Sequence, residues 1–212
     1  MKLRLHTRYQ NSAGERVRIV LNLKGANNEY VPIPSLNDDA YRALNPQGLM
    51  PTLEIDGRVV SQSMAIMELL EELFPHPSIF PDDAVLKAQA RAFAMVIAAD
   101  LHPVVVGRVR RYLDDPVGAH AAQDDAWFAH WLAQVVSTLE AQLSRRTAQF
   151  PFCFGYQPGL AEACLVPQIA NARRANCDLS SYPQLVAIDG ACRNLDPFIR
   201  ATPAAQLDFP GA

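Results

Sequence analysis

The sequence predicts a fold in two parts, a small α/β unit followed by an all-α unit, and three observations carry that expectation. Strand-like and helix-like periodicities alternate from Met1 to about Phe80. Pro75, Pro77 and Pro81 then stiffen a short segment that reads as an inter-domain linker. Beyond it the apolar spacing is almost wholly helical. The expected domains are therefore 1–80 and 81–212.

Lys2 to His6 alternates polar and apolar, as a half-buried strand does. After a polar loop, Val17, Val20 and Leu21 recur at helical spacing. Lys24 and Gly25 supply a last-turn cation and a residue able to turn left-handed. Tyr30 to Ile33 is a short extended run whose proline keeps it from a central ladder position. Asp38 to Leu44 is one or two helical turns stopped by Asn45-Pro46. Pro51 to Ile55 and Arg58 to Ser61 are β-rich and joined by Asp56-Gly57, a hairpin signal because both turn positions need φ > 0. Ile66, Leu69, Leu70 and Leu73 then mark a helix ending before Pro75. The resulting order is β-α-β-α-β-β-α. Helices are expected at about Asp83 to Leu113, Gln123 to Ser144, Ala161 to Asn176 and Pro183 to Ala201, the first of them kinked at Asp100-Leu101-His102-Pro103. Thr202 to Ala212, with two prolines and a glycine, is expected to be irregular and poorly ordered.

Composition narrows the function classes. Half of the 212 residues are hydrophobic and 19% are charged, which suits packed cores and not a disordered chain. Apolar runs such as Phe93 to Ala99 fall far short of the ~20 residues that span a bilayer, so no membrane partner is expected. The N-terminus has no apolar secretory segment. A net charge of −3 argues against a nucleic-acid partner. Cys153, Cys164, Cys177 and Cys192 form no CxxC pair and no zinc-ligand spacing, so they read as reduced, mostly buried thiols of a cytoplasmic protein with no metal site. Trp127, Phe128 and Trp131 fall at helical spacing and read as core, while Arg110-Arg111 and Arg145-Arg146 read as solvated charge.

Local sequence adds specificity. The stretches are Arg16-Val17-Arg18-Ile19, Leu21-Asn22-Leu23-Lys24-Gly25, Ala43-Leu44-Asn45-Pro46, Pro51-Thr52-Leu53 with Ile55-Asp56-Gly57, Gln62-Ser63, Ala65-Ile66 and Leu70-Glu71-Glu72. They continue with Cys164-Leu165-Val166-Pro167-Gln168, Asn171-Ala172-Arg173-Arg174, and Asp178-Leu179 before Tyr182-Pro183. In this order and over most of the chain, the pattern resembles the zeta class of glutathione transferases, which includes maleylacetoacetate and maleylpyruvate isomerases. The resemblance implies a thioredoxin-like βαβαββα glutathione-binding domain at 1–80 and a helical-bundle substrate domain at 81–212.

The same resemblance implies the site. A cis bond between Met50 and Pro51 would present backbone to the cysteinyl part of glutathione. Gln62 and Ser63, opening a helix, would hold the γ-glutamyl carboxylate, for which a helix N-terminus and a hydroxyl are suited in any case. The thiol must react as thiolate, which a hydroxyl donor and a helix N-terminus favour. Here the chain departs from the family's Ser-Ser-Cys or Ser-Gly-Thr motif. Asn11 falls at the first serine and Ala13 at the third position, so Ser12 is the expected thiolate donor and Asn11, through its amide, the alternative. Glu15 is expected to face solvent or to stabilise the helix start. Arg174 matches an arginine that grips a substrate carboxylate, while Arg173 beside it is expected to be solvated. Arg8 is a second clamp when counting from Met1, whereas counting back from Arg16 puts Gln10 there. His102 is expected at glutathione or substrate, partly across a dimer interface, with Arg108 a further cation nearby. Val105 and Val106 replace asparagines usual in the family, and Gly159 replaces a helix-capping Ser or Thr, which predicts a weaker helix start.

These features together imply a cytoplasmic homodimer with glutathione as cofactor. It would isomerise a maleyl dicarboxylate to its fumaryl form in aromatic catabolism: thiolate adds to the cis double bond, the bond rotates, and thiolate leaves. Two alternatives stay open, net transfer of glutathione to (or dehalogenation of) an electrophile, and a non-catalytic glutathione- or ligand-binding protein of the same fold.

Overall fold

The computed structural model describes residues 1–115, 117–118 and 121–211, with only the backbone of residues 121 and 122. It divides into two compact units, Met1–Phe80 with Arg193–Ala212, and Pro81–Cys192.

The first unit is built on a four-stranded sheet of order β2-β1-β3-β4, from β1 (Leu3–Thr7), β2 (Glu29–Pro32), β3 (Thr52–Ile55) and β4 (Arg58–Ser61). β1 pairs parallel to β2 and antiparallel to β3. A parallel neighbour needs a crossover, and helix α1 (Ser12–Leu23) provides it. Leu3, Leu5, Leu53 and Ile55 of the sheet are buried, as are Val17, Val20 and Leu21 of α1 and Ile66, Met67 and Leu70 of α3 (Ser63–Leu73). Across the strands, Arg4 bonds Glu29 and Glu54 at 3.1 Å each, and His6 Nε2 meets Glu54 at 3.2 Å. Asp56 and Gly57 both take positive φ, 47° and 81°, as the β3–β4 turn requires. The short helix α2 (Asp39–Leu44) is capped by Asp38 and stops at Asn45.

Three expectations change in this unit. Lys24, expected as a last-turn cation, is the C-cap of α1. Its side chain is buried, bonded to Glu71 of α3 and to the Pro77 carbonyl. Glu71 also accepts from Ser78 Oγ at 2.6 Å and from the Ile79 N–H at 3.0 Å, so the proline-rich segment is fastened to α1 and α3 and is no free linker. The last residues, expected in the helical domain, cluster with the first unit. They form α10 (Asp196–Ile199) and a 3₁₀ turn, Pro203–Ala205. Asn22 Nδ2 donates to Pro197 O at 2.8 Å, and Gln206 Nε2 to the carbonyls of Arg200 and Thr202 at 2.8 Å each. The tail is irregular, as predicted, yet it is tied down by hydrogen bonds.

The second unit is helical. α4 (Ala84–Met95), capped by Asp83, runs into a π-helical segment, Val96–Leu101, where the His102 N–H reaches back five residues to Ile97 O. Pro103 has no N–H to continue the ordinary ladder, and a π turn is one way a helix absorbs such a mismatch. α5 (His102–Val105) follows, and the chain breaks at Val106, with ψ 148°, before α6 (Gly107–Asp114). The sequence places the kink at 100–103; the structure places the π turn just before it and the full break just after. The stretch Ala84–Asp114 is long and apolar enough to cross a membrane by length and composition alone, and 28% of its most apolar window is buried. The remaining helices are α7 (Ala121–Ser144), α8 (Leu160–Arg174) and α9 (Pro183–Arg193). Phe93, Ile97, Leu101, Leu139, Leu165, Ile169 and Leu185 form the core. Glu140 of α7 accepts the Gln184 and Leu185 N–H groups at 3.0 Å each, capping α9. Gly159 offers no side chain as a cap, but the carboxylate of buried Glu162 accepts its N–H at 2.7 Å and that of Cys153 at 2.6 Å, so the start of α8 is anchored more firmly than its sequence predicts.

Candidate glutathione site

The N-terminus of α1 is shaped by close approach. Asn11 is the N-cap, with extended φ/ψ, and its Oδ1 accepts the Gly14 N–H at 2.5 Å. Its oxygen is therefore committed, while its Nδ2 has no partner among the described residues. Ser12 is the first helical residue, half-buried, and its hydroxyl has no partner among the described residues. The hydroxyl and the free amide thus both stand at a helix end that favours an anion. Of the two places expected for Glu15 the structure has the second: it is buried, in the first turn of α1, and lies near Arg18.

The N-terminus of α3 is the second element. Gln62 precedes it at φ 72°, a region that disfavours a side chain, and makes no side-chain cap. Its Nε2 donates to Gln47 Oε1 at 2.8 Å. Ser63, buried, accepts from Arg16 Nη1 at 3.4 Å. Arg16 is itself buried, so a guanidinium stands behind the first turn of α3 and adds to the positive end of the helix dipole. The Met50–Pro51 bond is cis, the isomer that the resemblance implies. The loop before it is held by Asn45 Nδ2, which donates to Leu49 O at 2.8 Å, and by the Tyr41 hydroxyl, which donates to the same carbonyl at 2.7 Å. Burial pushes the Tyr41 phenol up, keeping it a donor.

Arg8 is exposed, and its side chain has no partner among the described residues. In the second unit, Arg108 is likewise exposed and without a partner among the described residues, on α6. Arg174 ends α8, exposed, with Nη2 held by Asn171 Oδ1 and its other guanidinium nitrogens available. His102 begins α5 and is half-buried.

Several cations expected in solvent are engaged. Arg173 Nη1 bonds the fully buried Asp189 at 2.5 Å. Arg110 pairs with Asp124 and Asp125 and lies 5.4 Å over the Phe128 ring. Arg146 donates to Phe152 O at 2.7 Å and Cys153 O at 3.1 Å. Phe128 is core, as expected, whereas Trp127 is half-buried and donates to Val104 O at 2.8 Å. Three of the chain's own thiols are held in the protonated form. None of the four cysteines forms a disulfide, and burial, with Glu162 next in effect, pushes Cys153 well up. Burial does the same for Cys192, and for Cys177 beside Asp125. Among the described residues no cluster of three His, Cys, Asp or Glu side chains could hold a metal.

Arg16 and Arg18 of α1 and Asn45 were legible in the sequence only as marks of resemblance, and Tyr41 gave no signal. A usable sign was two arginines within a helix whose apolar face is already wide.

Comparison with known proteins fits this geometry. Residues 12–73 match the model of the glutathione S-transferase N-terminal domain. The maleylpyruvate isomerase of a Ralstonia species is 40% identical over 97% of this chain and 99% of its own. The holo structure of a maleylpyruvate isomerase, described as a bacterial zeta-class glutathione S-transferase, superposes with a TM-score of 0.94 at 40% identity, covering 97% and 99% of the two chains. A maleylacetoacetate isomerase from Anaeromyxobacter dehalogenans 2CP-1, with dicarboxyethyl glutathione and citrate in its active site, gives a TM-score of 0.87 at 36% identity over 99% and 98%. With full-length similarity at these identities, the chain belongs to the zeta-class glutathione transferase family.

Proposed function

We propose that this protein is a glutathione-dependent cis–trans isomerase of a maleyl dicarboxylate, maleylpyruvate or maleylacetoacetate. The observation that carries the reading is the pair of donors, Ser12 Oγ and Asn11 Nδ2, without a partner among the described residues at the α1 N-terminus, in a unit where Gln62, the N-cap of α3, makes no side-chain cap. These groups fit glutathione, a peptide with a thiol and two carboxylates. When bound, it supplies a thiolate that adds to the double bond and is released unchanged after rotation.

The chain's residues divide the remaining work. Ser63, the N-terminal end of the α3 dipole and the charge of Arg16 hold the γ-glutamyl carboxylate. The Met50–Pro51 backbone aligns the cysteinyl part. Ser12 donates a hydrogen bond to sulfur and lowers its proton affinity, with the α1 dipole adding to the effect. Arg174, Arg8 and Arg108 are the proposed carboxylate clamps, bidentate and always charged; with His102 they stabilise the enolate that develops beside the substrate carbonyl. Similarity to isomerases of both maleyl substrates supports the dicarboxylate class.

Two further parts of the proposal concern assembly and place. The protein works as a homodimer, as its resemblance implies, and sedimentation should show a dimer. Four cysteines that form no disulfide suit a cytoplasmic enzyme.

The test is turnover with maleylpyruvate. Fumaryl product formed without loss of glutathione supports isomerisation; consumption of one glutathione per product would replace it with net transfer. That second reading has an observation in its favour, the apolar Val105, buried where the family carries asparagine. Ser12→Ala should lower kcat by about 10²-fold or more; wild-type turnover would move the donor role to Asn11.

A further inference from the structure

The backbone leading into Asn11 and Ser12 is gripped from two directions. Arg18 of α1, buried, turns back on the loop before its own helix. Its Nη1 donates to Arg8 O at 3.2 Å and its Nη2 to Tyr9 O at 3.1 Å, while Nε donates to Ala201 O at 2.9 Å. One guanidinium thus joins two consecutive loop carbonyls to the C-terminal segment. From the other end of the chain, Asp208 Oδ2 accepts the Tyr9 N–H at 3.0 Å and Oδ1 accepts the Tyr30 hydroxyl at 2.7 Å. Phe209 meets the Tyr9 ring edge-on, centroids 5.6 Å apart at 87°. The peptide groups on both sides of Tyr9 are therefore held by charge-assisted hydrogen bonds, the strong kind. All these residues lie in the first unit.

A hydroxyl serves a reacting sulfur only if it is held within a fraction of an ångström, and side chains carried on loops need a support of their own. Ser12 lies three residues beyond Tyr9. The backbone that leads to it is supported at Tyr9 by Arg18 and Asp208, neither of them named above as a substrate-binding group, and Arg18 touches the proposed clamp Arg8 through its main-chain carbonyl, not its guanidinium.

We propose that the C-terminal segment 201–209 is a positioning element for the Asn11–Ser12 loop, with Asp208 and Arg18 as its positioning residues. The proposal rests on the reading of Ser12 as thiolate donor. The γ-glutamyl end of glutathione is held at α3, independently of the tail, so loosening the tail should spoil the register of sulfur against Ser12 more than it weakens binding.

The series Asp208→Ala, Asp208→Asn and Phe209→Ala tests it. In Asp208→Ala, kcat should fall about tenfold or more while KM for glutathione changes less than about threefold. The absorbance titration of bound glutathione should show its thiol ionising at higher pH. Asp208→Asn should recover most of the activity. Its carbonyl can still accept from the Tyr9 N–H, and its amide can donate to the Tyr30 hydroxyl. Amide exchange in the ligand-free protein reads the same device without activity. The amides of 9–15 should exchange about tenfold faster in Asp208→Ala, less so in Phe209→Ala, and near the wild-type rate in Asp208→Asn. Unchanged exchange in Asp208→Ala overturns the proposal whatever the activity does. Faster exchange with unchanged kcat overturns it as well. Wild-type protein that neither binds nor uses glutathione would refute the functional reading instead, and the exchange series would still decide whether the tail holds the loop.

Discussion

Replacing Gly14 with alanine tests how closely α1 lies on β1. A Cβ at position 14 would stand 2.0 Å from Thr7 Oγ1 and 3.0 Å from both Thr7 Cβ and Asn11 Oδ1, well inside the ~3.5 Å of ordinary contact. Thr7 is fully buried and β-branched, so its side chain has little freedom to give way. The strand and the helix must part instead. Overpacking of this kind costs about 1–3 kcal/mol, and the severity of the clash argues for the upper end. Alanine returns about 1 kcal/mol of helix propensity, which leaves a net loss of about 2 kcal/mol, or about 4–8 °C in Tm for a chain of this size. Thermal and urea unfolding of Gly14→Ala would measure it. Thr7→Ala with Gly14→Ala should recover part of the loss, because Thr7 Oγ1 has no partner among the described residues and its removal opens the tightest contact. Coupling of about 1 kcal/mol or more is expected in the cycle. A Gly14→Ala protein as stable as wild type, or more stable, would refute the close approach and with it the reason a glycine stands three residues past the helix cap.

The other predictions concern charge. Burial alone would raise the Glu71 carboxyl, but hydrogen bonds from Lys24, Ser78 and the Ile79 N–H, and the charge of Lys24, hold it below its usual range. A carboxyl held low contributes stability that is complete above its unfolded pKa and is lost as pH falls through the folded one. Unfolding midpoints of wild type and Glu71→Gln should therefore converge between about pH 6 and about pH 3, and a constant gap would remove Glu71 from the acid response. Arg173→Ala leaves the buried Asp189 without the guanidinium it bonds and should cost about 2 kcal/mol in urea unfolding, with Asp189→Asn in the same chain recovering part of it; no change would mean that the pair is idle. Arg174→Lys should raise the KM for a dicarboxylate about tenfold with a smaller effect on kcat, because an ammonium cannot reproduce the planar fork. Wild-type KM in Arg174→Ala would take this residue out of substrate contact.

Local chemistry was the legible part of this chain. The alternation at Leu3 and Leu5, the Asp56-Gly57 turn and the helix stop at Gly25 are signals read over a few residues, and each survives in the structure, whereas the polar stretch up to Glu15, which reads as loop, is helical from Ser12. Resemblance extended them to the candidate site: Ser12, Asn11, Gln62 and Ser63 do lie at the starts of two helices of one unit. What the sequence could not show was where the charges go. Arg110, Arg146 and Arg173 look solvated in one dimension, Lys24 reads only as a cation near a helix end, and Arg18 showed only as a mark of resemblance. Their partners arrive from 3 to 183 residues away, as in Arg146 to Leu143 and Arg18 to Ala201.

The sequence by itself therefore determined the order and kind of the elements and the chemistry at each helix start, because periodicity, caps and turns are properties of short stretches. The tertiary structure alone decided that the last residues return to the first unit, that Asp208 holds Tyr9, and that Arg18 of α1 bonds the carbonyls of Arg8 and Tyr9 while Arg16 bonds Ser63. A buried charge takes whatever partner the packing brings to it, and that partner is set by the whole chain.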